Sequence, residues 1–195
     1  TFATATNQDN DVAALLYSSG TTGTPKGIPL SHHNLFVNAE ALVEAWAFQA
    51  DDILVHALPL YHVHGLFITL SPALLAGCCL RLLPRFEANA VIDALQGATM
   101  MAGVPTYYTR LLAADRFNKQ IASGIRVFIS GSAPLTEATF NAFHQRTEHY
   151  ILERYGMTET GINTSNPLHG LRKAGTVGLP LPGVEIQIVV DQRQP

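Results

Sequence analysis

The run Ser18-Ser19-Gly20-Thr21-Thr22-Gly23-Thr24-Pro25-Lys26-Gly27 gathers hydroxyls, glycines and one lysine. Such a run suits the binding of a polyanion. Glycines let the backbone turn tightly and approach a phosphate chain, the hydroxyls offer donors, and Lys26 supplies a point charge for phosphate oxygens. It is not the P-loop of ordinary nucleotidases, which needs Gly before its Lys and Ser or Thr after it, where this chain has Pro25 and Gly27. The competing reading is a flexible Ser/Gly linker. The flanks weigh against it: apolar Asp11-Val-Ala-Ala-Leu-Leu-Tyr17 reads as a buried strand entering the loop, and Ser31 suits the cap of a helix beyond it.

Four further stretches carry residues with chemistry. Tyr61-His62-Val63-His64-Gly65 spaces two imidazoles so that an extended backbone would present both on one face. A zinc pair is conceivable there, but no third ligand is evident and the Gly-Leu-Phe that follows argues for an apolar wall; a core histidine is the bland alternative. Arg110 lies inside a helix that begins at Val104-Pro105, among Tyr107, Tyr108, Leu111 and Leu112, so it either snorkels to solvent or neutralises a buried anion. Gly131-Ser132-Ala133-Pro134 follows the apolar Val127-Phe-Ile-Ser130, where small residues let a flat ring lie against backbone; on its own it also reads as a turn with Pro134 starting a helix. Glu153-Arg154-Tyr155-Gly156-Met157-Thr158-Glu159-Thr160 offers Glu159 as a hard oxygen ligand, or as a plain surface acid. Arg126, Arg154 and Arg172 read as surface or ribose-side charges.

The elements that must position these residues alternate. Helical apolar spacing runs from Ser31 to Ala47 at Leu35, Ala39, Leu42, Val43 and Trp46. Helices are expected at Leu66 to Leu75, Glu87 to Leu95, Thr106 to Ala113 and Thr136 to Thr147. Strands are expected at Ile53 to Ala57, Cys79 to Leu83, Thr99 to Ala102, Arg126 to Ser130 and Tyr150 to Glu153. This order predicts an α/β fold, a largely parallel sheet flanked by helices, with ligands at the carboxyl ends of the strands.

Composition narrows the partners. A chain of 195 residues, 47% hydrophobic and with net charge -3, builds one core and has no general attraction for nucleic acid or an anionic membrane, which leaves a small molecule. Apolar stretches are broken before membrane-spanning length. Cys78 and Cys79 sit in an apolar run and read as buried reduced thiols, pointing to a cytoplasmic setting.

Tyr17 to Gly27 resembles the first signature of the adenylate-forming superfamily, which includes acyl-CoA synthetases, and Glu153 to Thr160 resembles the second. Leu58 to Leu66, Gly103 to Leu112 and Arg172 to Gly178 are most similar to malonyl-CoA synthetases, and the likeness covers nearly the whole chain. The resemblance implies ATP, Mg²⁺ and coenzyme A acting on a small carboxylate, malonate above all, through an acyl-adenylate to acyl-CoA. It implies catalytic roles for Lys26, Thr158, Glu159 and His62, the last a gate beside the carboxylate tunnel. ATP or AMP would meet Ser18, Ser19, Gly20, Thr21, Thr22, Gly23, Lys26, Gly131, Ser132, Ala133, Pro134, Glu153, Arg154, Tyr155, Gly156 and Thr158. Mg²⁺ would meet Glu159 and Ser18, which stands where the family usually has Thr. His64, Arg110, Gly131, Gly156 and Met157 would line the acyl pocket, with Arg110 on the distal carboxylate. It also implies that residues 1–195 are a fragment of the AMP-binding domain, without its amino-terminal start or the mobile carboxy-terminal domain with its assisting lysine. A short-chain monocarboxylate–CoA ligase and a non-catalytic nucleotide-binding fragment stand as alternatives.

Overall fold

The computed structural model describes residues 5–18 and 25–189; Ser19, Gly20, Thr21, Thr22, Gly23 and Thr24 lie outside the described residues. Strand β1 (Val12–Ser18) pairs antiparallel with β2 (Lys26–Ser31), setting Ser18 opposite Lys26. Ser31 then caps α1 (His32–Ala45): its Oγ accepts the Asn34 N–H while Asn34 Oδ1 accepts the Ser31 N–H, which satisfies two groups of the first turn.

Next come β3 (Ile53–His56), a π-helical turn (His64–Leu70), α2 (Ser71–Ala76), β4 (Cys79–Leu82), α3 (Ala88–Leu95) and β5 (Met100–Gly103). The chain continues through α4 (Pro105–Leu112), α5 (Lys119–Ala122), β6 (Val127–Ser130), α6 (Glu137–Thr147), β7 (Leu152–Met157), β8 (Gly161–Ser165) and β9 (Leu179–Pro180). The main sheet has the order β4-β3-β5-β6-β7-β8-β9, parallel as far as β7 and antiparallel beyond. The expected α/β fold with a mostly parallel sheet is therefore what forms.

Both faces of the sheet are covered, which is why its inner strands read as unbroken apolar runs. Val55, Met101 and Phe128 point to the side packed by α3, α4 and α6, where Tyr108, Phe117 and Phe143 are fully buried. Their strand neighbours Leu54, Met100, Val127 and Ile129 point the other way, onto Leu42 and Trp46 of the α1 side and Ile68 of the π-helical turn. Successive strand residues serve opposite cores because the side-chain period of a strand is two.

Several expectations need correction. The strand feeding the hydroxyl run is not buried: Val12, Leu15 and Tyr17 are 62%, 53% and 70% exposed, since β1 pairs with β2 in a separate two-stranded sheet that no described helix covers. The helix expected at Leu66 begins at His64 and its first half is π-helical, with Thr69 Oγ1 donating to the His64 carbonyl at 2.8 Å. Only Cys78 is buried, because Cys79 opens β4 at the edge of the sheet. The strand expected at Tyr150 to Glu153 starts at Leu152 and runs through Met157, so the second signature is itself strand up to its turn; antiparallel pairing with β8 continues the ladder where the parallel pairing with β6 stops.

The amino-terminal end of the sheet is closed by Asp52 and Arg126. The Asp52 carboxylate accepts from Arg126 Nε at 2.9 Å and Nη2 at 2.6 Å, from Thr99 Oγ1 at 2.7 Å and from the Gln49 N–H at 2.9 Å. Arg126 also donates to the carbonyls of Trp46 and Ala47, so it is neither a free surface charge nor a ribose contact. Arg172 is likewise committed, to the carbonyls of Tyr150, Pro167 and Leu168. Burial is the largest single influence on Asp52 and pushes its carboxyl up, but the Arg126, Thr99 and Gln49 hydrogen bonds and the Arg126 charge together leave it below the ordinary value. Its stabilisation is therefore present above the unfolded-state pKa of 3.8 and lost as pH falls through the lower folded value. Asp52→Ala should cost about 3 kcal/mol in urea unfolding at pH 7, and its gap from wild type should narrow as the pH is taken below 4. A gap that stays constant with pH would mean that the carboxylate charge is not what holds this end.

Candidate functional site

The carboxyl ends of β6 and β7 meet at one small cavity. Gly131 leaves β6 buried against the Arg154 guanidinium, which occupies the space that a Cβ at position 131 would need, so only glycine lets the two coexist. Ser132 follows with φ of 69°, a left-handed conformation costly for a residue with a side chain. The Leu135 N–H donates to Glu153 Oε1 at 3.0 Å, pinning the far side of the loop to β7. Held this way, Ser132 Oγ sits 3.0 Å from His64 Nδ1. The cavity, about 210 Å³, is lined by His64, Ser132, Arg154, Gly156, Met157 and Thr158 among others.

Its electrostatics are unusual. Arg154 is 4% exposed, and its Nε and Nη2 find no hydrogen-bond partner among the described residues. Burial lowers its pKa to about 10, which still leaves it charged at neutral pH. His64 is 5% exposed with Nε2 also unpartnered, and its pKa is pushed well below the ordinary value, first by burial and then by the charge of Arg154. A neutral His64 that takes the Ser132 hydroxyl proton at Nδ1 carries its own proton on Nε2. In that tautomer Arg154 Nε and Nη2 and His64 Nε2 are buried donors with no acceptor among the described residues, an arrangement suited to an anion.

Other expected residues fall elsewhere. Val63 is helical, so the extended backbone that would set His62 and His64 side by side is absent: His64 is buried in the cavity wall and His62 is exposed beside Tyr61. No metal-ligating group of three His, Cys, Asp or Glu forms among the described residues. Arg110 does not line this cavity. It is exposed in the last turn of α4 with its guanidinium 4.8 Å from the Phe86 ring centre, because α4 turns Tyr108 and Leu111 inward and leaves position 110 outside.

Thr158 and Glu159 stand in the turn between β7 and β8, on the wall of a groove of about 420 Å³ that runs along α1. Ser18 and Lys26 face each other at the mouth of the β1–β2 hairpin. Ala133, Pro134 and Tyr155 are exposed, and Glu153 is buried with Oε1 accepting from the Leu135 N–H and Oε2 without a partner among the described residues. Two residues were not legible. Asn38 on α1 bonds both main-chain groups of Ile162, and His56 at the end of β3 bonds the Gly65 carbonyl through Nε2 at 2.8 Å. A lone Asn in a helix and a His ending an apolar strand carry no periodic signal.

Because His64 resists protonation only in the folded state, it favours folding above pH 6.5 and withdraws that stability as pH falls toward its depressed folded value. His64→Gln should therefore lose less stability than the wild type between about pH 7.5 and 5.5, measured by thermal unfolding at each pH. Parallel curves would mean that His64 titrates normally and that the cavity is wet.

The AMP-binding enzyme family matches residues 2–195. A malonate–CoA ligase of Mus musculus, mitochondrial, is 38% identical over 200 residues, which span 93% of this chain and 34% of that protein. ATP-bound MatB from Rhodopseudomonas palustris superposes with TM-score 0.90 at 49% identity over 94% of this chain and 36% of that one. A malonyl-CoA ligase in a ternary product complex with methylmalonyl-CoA and AMP gives TM-score 0.86 at 44% identity over 91% and 40%. The chain spans about a third of the length of the curated relatives it matches. With a family match along almost its whole length and a close superposition on these ligases, the chain belongs to the AMP-binding enzyme family, the adenylate-forming superfamily of the acyl-CoA synthetases.

Proposed function

We propose that the chain is the adenylation core of an ATP-dependent acyl-CoA ligase whose carboxylate is malonate. The observation that carries this reading is the unpartnered Arg154 guanidinium in a cavity of about 210 Å³ beside the bare Nε2 of His64. A monocarboxylate with an alkyl tail would leave those donors empty, whereas a dicarboxylate keeps one carboxylate for reaction and gives the other to Arg154 and His64. The role first assigned to Arg110 passes to Arg154. The likeness to malonate–CoA ligases supports the same substrate.

In the reaction, one carboxylate oxygen attacks the α-phosphorus of ATP and pyrophosphate leaves; the CoA sulfur then attacks the acyl carbon and AMP leaves. Lys26 and the hydroxyls beside it offset charge on the phosphates, Thr158 donates to the α-phosphate, and the exposed loop Ser132 to Pro134 with Tyr155 encloses the adenine. Glu159 is an exposed carboxylate on the groove wall, and no ready-made cage of acidic or imidazole groups forms among the described residues. This donor set suits Mg²⁺, which takes few protein ligands and completes its shell with phosphate and water. Glu159 and Ser18 would hold the ion, whose charge would neutralise the departing pyrophosphate. His62, exposed and next in the chain to the cavity-lining Val63 and His64, is assigned the gate in this reading.

These residues form the central part of a larger adenylation domain, completed in the full-length protein by further chain and a mobile carboxy-terminal domain. Among the described residues no helix is long and apolar enough to cross a membrane. Unpaired Cys78 and Cys79 agree with a reducing compartment, the cytoplasm in this reading.

In the full-length enzyme, Arg154→Met should lower the kcat/KM ratio of malonate to butyrate at least tenfold, the value of a charge-assisted hydrogen bond of about 1.5 to 3 kcal/mol. Arg110→Met should leave that ratio within threefold. An unmoved ratio in Arg154→Met removes the support for malonate and favours a monocarboxylate. Lys26→Ala and Glu159→Gln should each slow ATP–pyrophosphate exchange about a hundredfold, as loss of one preorganised charge stabiliser does. Exchange at wild-type speed in both would take the two residues out of the mechanism.

A further inference from the structure

Asn38 lies in the second turn of α1, and its side chain stands in for a neighbouring strand. Oδ1 accepts the Ile162 N–H at 3.1 Å and Nδ2 donates to the Ile162 carbonyl at 3.0 Å. The ladder between β8 and β9 stops at Thr164, so this amide finishes the edge of β8 where the strand leaves its turn. Gly161 is shaped to the same contact: its φ is +67°, and a Cβ there would come within 2.6 Å of Asn38 Oδ1. Ile162 is buried, so removing the amide would strip its main chain of both partners in a place water hardly reaches.

The turn so fixed is the one that carries Thr158 and Glu159. The helix that fixes it descends directly from Lys26: β2 runs from Lys26 to Ser31, Ser31 and Asn34 lock the first turn of α1, and Asn38 follows one turn later. Asn38, Thr158 and Glu159 line one groove. Thr160 is secured from the other side, its hydroxyl accepting from Asn163 Nδ2 at 3.0 Å. The two signatures are over a hundred residues apart in the chain, and this amide joins α1, which follows the strand that begins at Lys26, to β8, which follows the turn of Thr158 and Glu159.

We propose that Asn38 is a positioning residue for adenylation, holding the Thr158–Glu159 turn in register with Lys26. The proposal rests on the reading of Lys26, Thr158 and Glu159 as the groups that handle ATP. It concerns the handling of ATP and not the choice of carboxylate, since Asn38 does not line the cavity of Arg154 and His64.

The test uses the full-length protein as wild type, Asn38→Ala, Glu159→Gln and the double variant, with active sites titrated and unfolding temperatures measured. Asn38→Ala should lower kcat for ATP–pyrophosphate exchange about tenfold or more, as small misplacements of catalytic groups do. Its Kd for AMP should stay within threefold of wild type and its malonate-to-butyrate ratio within twofold. In the Glu159→Gln background the same change should cost less than threefold further, because the turn it positions is already disabled. If Asn38→Ala yields no folded protein, Asn38→Ser, which keeps one hydrogen-bonding group, is judged by the same criteria. A lower unfolding temperature with kcat per active site unchanged, or losses that multiply in the double variant, would overturn the proposal. Normal exchange in Glu159→Gln would fail the underlying reading of the turn instead, and the proposal with it.

Discussion

An unpaired guanidinium buried at the carboxyl end of the sheet is the constraint that the site depends on. Removing a charge from water costs several kcal/mol unless a partner repays it, and two nitrogens of Arg154 have none among the described residues. The residues around it are arranged to keep that charge in place. Gly131 gives up its side chain to make room, Ser132 adopts a strained left-handed backbone and braces His64, and Glu153 ties the loop to the strand next to the arginine. His64 stays neutral, which spares the cavity a second positive charge.

The two ends of the sheet treat an arginine in opposite ways. At the amino-terminal end Arg126 donates to both carboxylate oxygens of Asp52 and to two main-chain carbonyls, and the network is closed. At the carboxyl end Arg154 is held by packing and left electrostatically incomplete. The first arrangement stabilises the fold. The second, in the proposed reading, gives up stability in the free protein in favour of a ligand that brings the missing charge, the usual compromise where strain and unsatisfied groups gather at a functional site.

A second form of organisation links the parts proposed to handle the nucleotide. Among the described residues the hairpin carrying Ser18 and Lys26 makes no ladder with the main sheet, so α1 and what α1 bonds help to set its place relative to Thr158 and Glu159. The capping pair of Ser31 and Asn34 sets the direction of that helix, and the Asn38 amide joins it to β8. The π-helical turn beginning at His64 performs a similar service for the acyl side, tied back by His56 and Thr69.

The chain by itself determined the alternation of strands and helices, the placement of the second signature run toward the carboxyl end of a largely parallel sheet, and the family. Those features are local: apolar period, Gly and Pro punctuation and short runs of particular residue types are written in consecutive positions. It did not determine which arginine is buried. Arg110 and Arg154 both have apolar neighbours in sequence, but α4 turns position 110 outward while pairing with β6 and β8 encloses position 154. Nor did it determine that β1 lies exposed, that His62 and His64 part company, or that Asn38 reaches Ile162. Each of those depends on which distant segment arrives alongside, and burial and hydrogen-bond partners exist only once the segments have packed.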